Sequence, residues 1–205
     1  MPTFSTLALF VAATLALLLV PGPAVLFIVT RSVAQGRMAG LVSVLGVHAG
    51  TLVHVLAAAL GVSALLAASA TAYTVIKYVG VAYLVYLGIR KLMNSRQAAE
   101  TIEIEAKSRR RIFAEGFVVN VLNPKTAIFF MAFLPQFTDP AAGHVWAQMV
   151  VLGLTFTVIG MITDGLYALT SSALATRLRG RARRRLDVGS GLVYLGLGAY
   201  LATAK

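Results

Sequence analysis

The chain has 205 residues, of which 59% are hydrophobic and only 12% are charged. About a quarter of the residues of an ordinary soluble domain are charged, so this composition indicates a membrane protein built from apolar helices. The absence of cysteine excludes disulfides and thiolate chemistry. The net charge is +11, and the basic residues that produce it lie mainly between the apolar runs. We interpret them as a signal for membrane orientation rather than as a nucleic-acid interface.

Six apolar segments are predicted to cross the membrane, because each approaches or exceeds the ~20 residues that span a bilayer. Val85-Tyr86-Leu87-Gly88 of the third segment recurs as Val193-Tyr194-Leu195-Gly196 in the sixth. We therefore predict an all-α membrane protein of six transmembrane helices, arranged as two three-helix repeats of inverted topology within one domain, 1–205. Repeat one covers about 4–91, a cytoplasmic linker about 92–112 and repeat two about 113–204. The predicted segments are 4–29, 41–67, 73–91, 113–137, 146–172 and 187–204.

Two helix-breaking motifs interrupt the first and the fourth segments, Pro21-Gly22-Pro23 and Asn123-Pro124-Lys125. Proline removes a backbone donor and clashes with the preceding turn, so each helix has to kink or break. Broken backbone at membrane depth is tolerated only where it is buried in protein or lines a watery cavity. Paired breaks in two halves of a chain indicate the binding site of a carrier. We predict that both motifs, with Asn120 one turn earlier, line a translocation site or clamp neighbouring helices there.

The basic residues are concentrated in the connectors that follow the first, third and fifth segments. By the positive-inside rule these three connectors are cytoplasmic, which places both termini outside. The same connectors could bind anionic lipid headgroups. We expect no contact with nucleic acid.

Asp164 is the one acidic residue deep within a predicted segment. A carboxylate at that depth costs several kcal/mol and is usually functional. It could carry protons or hold a substrate amino group, whereas a structural role would tie it to Thr163, Tyr167 or the backbone. Lys125 could pair with Asp164 or Glu115, attract a substrate carboxylate, or extend to the cytoplasmic interface.

His48 and His54 are six residues apart, which places them on different faces of one helix. A metal pair on one helix needs a spacing of three or four residues, so we predict neither a metal site nor any other cofactor. We expect structural roles for both histidines, with a proton relay as the alternative. His48 lies within Gly46-x-x-x-Gly50, a pattern typical of close helix packing.

These motifs resemble the lysine-exporter (LysE/RhtB) family of bacterial amino-acid efflux carriers, and the match runs nearly end to end. The resemblance is carried by Pro21-Gly22-Pro23, Gly36-Arg37-Met38-Ala39-Gly40, Asn120 to Lys125 and Phe133-Leu134-Pro135-Gln136-Phe137. Asp164 followed by Tyr167 also fits the family's fifth span. The resemblance implies export of amino acids or related compounds across the bacterial inner membrane, driven by the proton gradient. The implied partners are an amino-acid substrate, protons and lipid, and a homo-oligomer is left open.

The function that we predict is a secondary active transporter with proton antiport and alternating access. An intramembrane enzyme is disfavoured, because the sequence offers no Ser/His pair at catalytic spacing, no metal pair and no paired carboxylates. The main alternative is a passive channel or a non-transporting membrane scaffold. The sparse charge within the apolar segments favours a neutral zwitterion over a dibasic amino acid.

Overall fold

The computed structural model describes residues 3–62, 70–93 and 106–177, with short helical pieces between 192 and 203. All regular secondary structure in these ranges is helical, which confirms the predicted all-α class. Most of the predicted sixth segment and the middle of the predicted linker lie outside the described residues. The helices are α1 (Phe4–Leu18), α2 (Pro23–Gln35), α3 (Arg37–Ala57), α4 (Ala70–Met93), α5 (Arg109–Val121), α6 (Pro124–Ile128) and α7 (Val145–Arg177).

Both predicted helix breaks are confirmed. The axes of α1 and α2 meet at 56°, and the helix that begins with α5 bends by 47° where α6 starts. Pro23 and Pro124 each occupy the first turn of the new helix, where the missing N–H costs nothing. The caps differ, because Gly22 has no side chain to cap α2, whereas the side chain of Asn123 accepts a hydrogen bond from the N–H of Lys125.

The described helices are apolar and long enough for a multi-pass membrane protein. The stretches Arg37–Gly61 and Val145–Ser171 each exceed the length that crosses hydrocarbon. Each bent pair adds a span if it crosses as a unit, which gives two to four candidate spans in the described ranges. Helix α4 contributes a shorter apolar stretch, Thr74–Leu87. The six-helix inverted repeat stays a prediction.

Helix α3 is the centre of the packing and contacts α2, α5 and α7. A methyl group on Gly46 would overlap the backbone carbonyl of Phe113, and one on Gly50 would lie 2.8 Å from the carbonyl of Phe117. The backbones of α3 and α5 therefore touch. Small residues permit such contact between membrane helices, which confirms the close packing predicted for Gly46-x-x-x-Gly50.

An aromatic cluster fills the end of the molecule beyond the second break. The ring of Phe129 lies 4.9 Å from that of Phe156 and 6.1 Å from that of Phe10, measured between centroids. Phe129, Phe130 and Phe133 are all buried, so their role here is packing. The outer faces of the helices instead expose large aliphatic side chains, as lipid-facing surfaces do. Examples are Leu45, Leu52, Leu56, Leu60, Val158, Ile162 and Leu166.

Candidate functional site

A cavity lined by both apolar and polar residues lies where the two helix breaks meet. Its volume is about 30 Å³. A single water needs about 10–15 Å³ by the same measure, so the cavity has room for about two waters and is far too small for an amino acid. Helices therefore have to separate before an amino acid can bind in it. The polar lining residues come from α3, α5, α7 and the second break with the start of α6: His48, Thr51, Asn120, Asn123, Lys125, Thr126 and Asp164. Gly22, just before α2, also lines the cavity.

The second break is bound directly to the first. The ammonium group of Lys125 donates hydrogen bonds to the carbonyls of Leu17, at 2.8 Å, and Val20, at 2.7 Å. The hydroxyl of Tyr167 donates to the carbonyl of Leu19, at 3.1 Å. These carbonyls lie at the carboxyl end of α1, where the helix dipole favours a cation. Lys125 is buried, so its ammonium group does not reach the surface as the interfacial alternative requires.

Asn120 joins α5 to α3 and to the start of α6. Its amide nitrogen donates to the carbonyl of Val47, at 2.8 Å, and to the hydroxyl of Thr51, at 2.9 Å. Its amide oxygen accepts from Thr126, at 3.0 Å, and from Asn123, at 3.4 Å. Sequence reasoning missed Thr51 and Thr126. Thr51 lies three residues after His48, and Thr126 lies three residues after Asn123. Residues at this spacing are neighbours on one face of a helix.

Asp164 pairs with His48 across the contact between α7 and α3. The Nε2 atom of His48 lies 3.0 Å from Oδ2 of Asp164, and both side chains are 4% exposed. The Nδ1 atom of His48 lies 3.4 Å from the hydroxyl of Thr51, which in turn accepts from Asn120. A continuous chain of polar groups therefore runs from Asp164 to the second break.

The other carboxylate oxygen of Asp164, Oδ1, is buried and has no hydrogen-bond partner among the described residues. The structural alternative tied Asp164 to Thr163 or Tyr167. Instead, Thr163 donates to the carbonyl of Gly160 and Tyr167 to that of Leu19. Asp164 is thus held at one oxygen only, and an unsatisfied buried acceptor is costly.

Pro21, Pro23 and Pro124 are not among the residues that line this cavity. Pro23 and Pro124 are exposed, and Pro21 is only half-buried. Each motif interrupts its helix, and the residues next to the prolines, Gly22, Asn123 and Lys125, line the cavity instead. Gly22 lies close to Lys125, since a methyl group on Gly22 would lie 3.1 Å from Cδ of Lys125.

His54 is buried but lies outside the cavity lining. Its Nε2 atom is 2.9 Å from the backbone carbonyl of Asn120, and its ring stacks on Phe130 with centroids 6.0 Å apart. His48 and His54 therefore serve different contacts, as their spacing predicted.

Glu115 also lies outside the cavity lining, in an ion cluster that joins α2 to the start of α5. Its carboxylate accepts from Arg31 at 3.1 Å, Lys107 at 2.6 Å and Arg111 at 3.2 Å. The side chain of Gln35 adds two hydrogen bonds to the backbone of Lys107, at 2.9 and 3.1 Å. The cluster therefore connects the first predicted repeat to the second.

Comparison with known proteins identifies relatives over nearly the whole chain. The LysE type translocator family matches residues 15–205. A protein described as an uncharacterized membrane protein of Vibrio cholerae is 32% identical over 91% of each chain. A homoserine/homoserine lactone efflux protein of Salmonella typhimurium is 29% identical over 99% of this chain and 98% of its own. A leucine efflux protein of Salmonella choleraesuis is 28% identical over 96% and 94%. No solved structure matches.

Proposed function

Because the chain belongs to the LysE type translocator family, we propose that it exports an amino acid or a close derivative from the cytoplasm. Two of its relatives are efflux proteins for homoserine, homoserine lactone or leucine, which points to a transporter rather than an enzyme. The observation that carries the proposal is the cavity at which both helix breaks, a buried carboxylate and a buried ammonium group meet.

Transport proceeds by alternating access between two pseudo-symmetric halves. The support is a bent pair of helices followed by one long apolar helix, an arrangement that occurs twice in the described chain. The bent pair α1–α2 is followed by α3, and the bent pair that begins with α5 is followed by α7. Since the cavity is too small for an amino acid, one half has to rock against the other to enlarge it and expose it to either side.

The basic connectors face the cytoplasm in this proposal. Arg31 near the first connector and Lys107 near the end of the linker bind the same carboxylate, that of Glu115. The two connectors therefore lie at one end of the molecule, as the positive-inside rule requires. The Glu115 cluster is then a cytoplasmic latch, which has to separate when the cavity opens inward.

Proton antiport is assigned to Asp164 and its partner His48. A proton from outside neutralises the carboxylate and releases a bound substrate ammonium group. Return of that proton to the cytoplasm restores the negative charge and resets the cycle. A histidine paired with a buried carboxylate is chemically suited to such a transfer.

The test is efflux from proteoliposomes preloaded with each of a panel of amino acids, with and without an acidic external buffer. We expect saturable efflux of at least one amino acid, accelerated by the pH gradient. The Asp164→Asn variant should lose this acceleration, whereas the matched control Asp139→Asn should keep it, because Asp139 caps an external turn. Efflux that does not saturate and ignores the gradient would identify a passive channel, and no efflux of any amino acid would refute export.

A further inference from the structure

We infer that the cavity binds the headgroup of an α-amino acid in one orientation, with its carboxylate on the N–H groups of Ala24 and Val25 and its ammonium group on Asp164. This inference rests on the proposed export of amino acids. It goes further by assigning each charge of the substrate to an atom of the protein and by limiting the side chains that are accepted.

The start of α2 offers two buried donors. Gly22 provides no side-chain cap, and Pro23 has no N–H. The first N–H of α2 that donates to a backbone carbonyl is that of Leu26, which donates to the carbonyl of Gly22 at 3.0 Å. The N–H groups of Ala24 and Val25 have no hydrogen-bond partner in the described part of the chain.

Position and charge make these donors suitable for a carboxylate. Ala24 is 9% exposed and Val25 is 5% exposed, and both line the cavity. The amino end of a helix carries partial positive charge and binds anions through such groups. Helix α2 has 13 residues, enough for its dipole to contribute. The break at Gly22 therefore creates an anion site as well as a bend.

Asp164 provides the opposite charge independently of α2. Its Oδ1 atom is buried in the lining of the same cavity without a hydrogen-bond partner among the described residues. A substrate ammonium group would supply the missing donor. His48 holds the other oxygen and thereby fixes the orientation of the carboxylate.

The other residues that line the cavity determine which substrate side chains are accepted. Asp164 is the one carboxylate among the lining residues that the structure describes. The positive charge of a lysine or arginine side chain would therefore lack a counter-ion in a buried site, which is costly. Apolar lining is available for an uncharged side chain from Leu17, Leu18, Val47 and Phe156. The substrate class is an α-amino acid with an uncharged side chain.

The experiment compares each amino acid that the efflux panel identifies with its own carboxamide and its own N-acetyl derivative. The carboxamide removes the negative charge, and the N-acetyl group removes the positive charge. We expect both derivatives to compete at least tenfold more weakly than the parent amino acid, equivalent to about 1.4 kcal/mol. Lysine and arginine should compete no better than the derivatives.

Two variants then locate the charges. Ala24→Pro removes one N–H in the first turn of α2, where proline is tolerated, and should reduce discrimination against the carboxamide. Ala24→Val, whose side chain is close in size to that of proline, keeps the N–H and should discriminate against the carboxamide more strongly than Ala24→Pro does. Asp164→Asn should reduce discrimination against the N-acetyl derivative.

The outcomes separate this inference from the proposed function. Equal competition by parent and derivatives, or efficient lysine export, would overturn the headgroup assignment and leave export intact. Unchanged selectivity of a folded Ala24→Pro variant would overturn the carboxylate position. If the Ala24→Pro variant does not fold, the comparison of each amino acid with its two derivatives on the unaltered chain tests the inference. Absence of any amino-acid efflux would refute the proposed function, and the headgroup assignment with it.

Discussion

Substitution of Gly160 by alanine tests whether the pairing of His48 with Asp164 is needed for transport. Gly160 lies on α7, one turn before Asp164. A methyl group there would overlap Cε1 of His48 and lie 3.2 Å from its Nε2 atom. Nε2 is the atom that contacts Asp164. The ring therefore has to turn away, and the pair separates without removal of either polar residue.

The magnitude follows from two opposing effects. Loss of a buried hydrogen bond to a charged group costs about 1.5–3 kcal/mol. Replacement of glycine by alanine within a helix returns about 1 kcal/mol. We therefore expect Gly160→Ala to lower the free energy of unfolding by about 0.5–2 kcal/mol. Proton-coupled efflux should fall at least tenfold, because the hydrogen-bonded contact between His48 and Asp164 is disrupted.

Gly165→Ala is the matched control on the same helix, since no described residue beyond its chain neighbours and its own helix turn lies within 4 Å of the added methyl group. It should be neutral or more stable than the unaltered chain by up to about 1 kcal/mol, and its transport should be normal. Unfolding is followed by SDS titration in mixed micelles, and transport by efflux from proteoliposomes. If Gly160→Ala matches Gly165→Ala in both assays, the pair has no role in transport and the reasoning is refuted.

Three further predictions concern contacts between the two halves. Lys125→Met removes the ammonium donor from the carbonyl of Val20, at a cost of about 1–3 kcal/mol, whereas the carbonyl of Leu17 keeps the N–H of Val20. The variant should therefore unfold earlier in SDS than Lys125→Arg; equal midpoints would contradict this. The chain has no cysteine, so a cleavable thiol cross-linker should react only with the two introduced cysteines of the Gln35→Cys/Lys107→Cys variant. Efflux should stop when they are linked and recover when the linker is cleaved; unimpaired efflux of the linked protein would exclude a moving latch. Tyr167→Phe loses one neutral hydrogen bond, worth about 0.5–1.5 kcal/mol, and should transport normally; complete loss of efflux would show that the hydroxyl serves more than the carbonyl of Leu19.

Local chemistry made the helix breaks and the membrane character predictable. A proline lacks its N–H wherever it stands, so Pro21, Pro23 and Pro124 predict interruptions without knowledge of any neighbour. Composition predicted apolar helices, and the spacing of Gly46 and Gly50 predicted a close helix contact. Motifs along the chain predicted the LysE family, which the comparison over residues 15–205 shows. The sequence also indicated Asp164 as the one deep acidic residue.

Only the tertiary structure decided which groups meet. The pairs Asp164–His48 and Lys125–Leu17 join residues 116 and 108 positions apart. The sequence left several partners open for Asp164 and for Lys125, because helix packing rather than local preference brings distant side chains together. Pro21-Gly22-Pro23 shows the same division. Its prolines determine by themselves that the helix must open, but the approach of α6 and α7 determines that Lys125 and Tyr167 donate to the carbonyls at the end of α1.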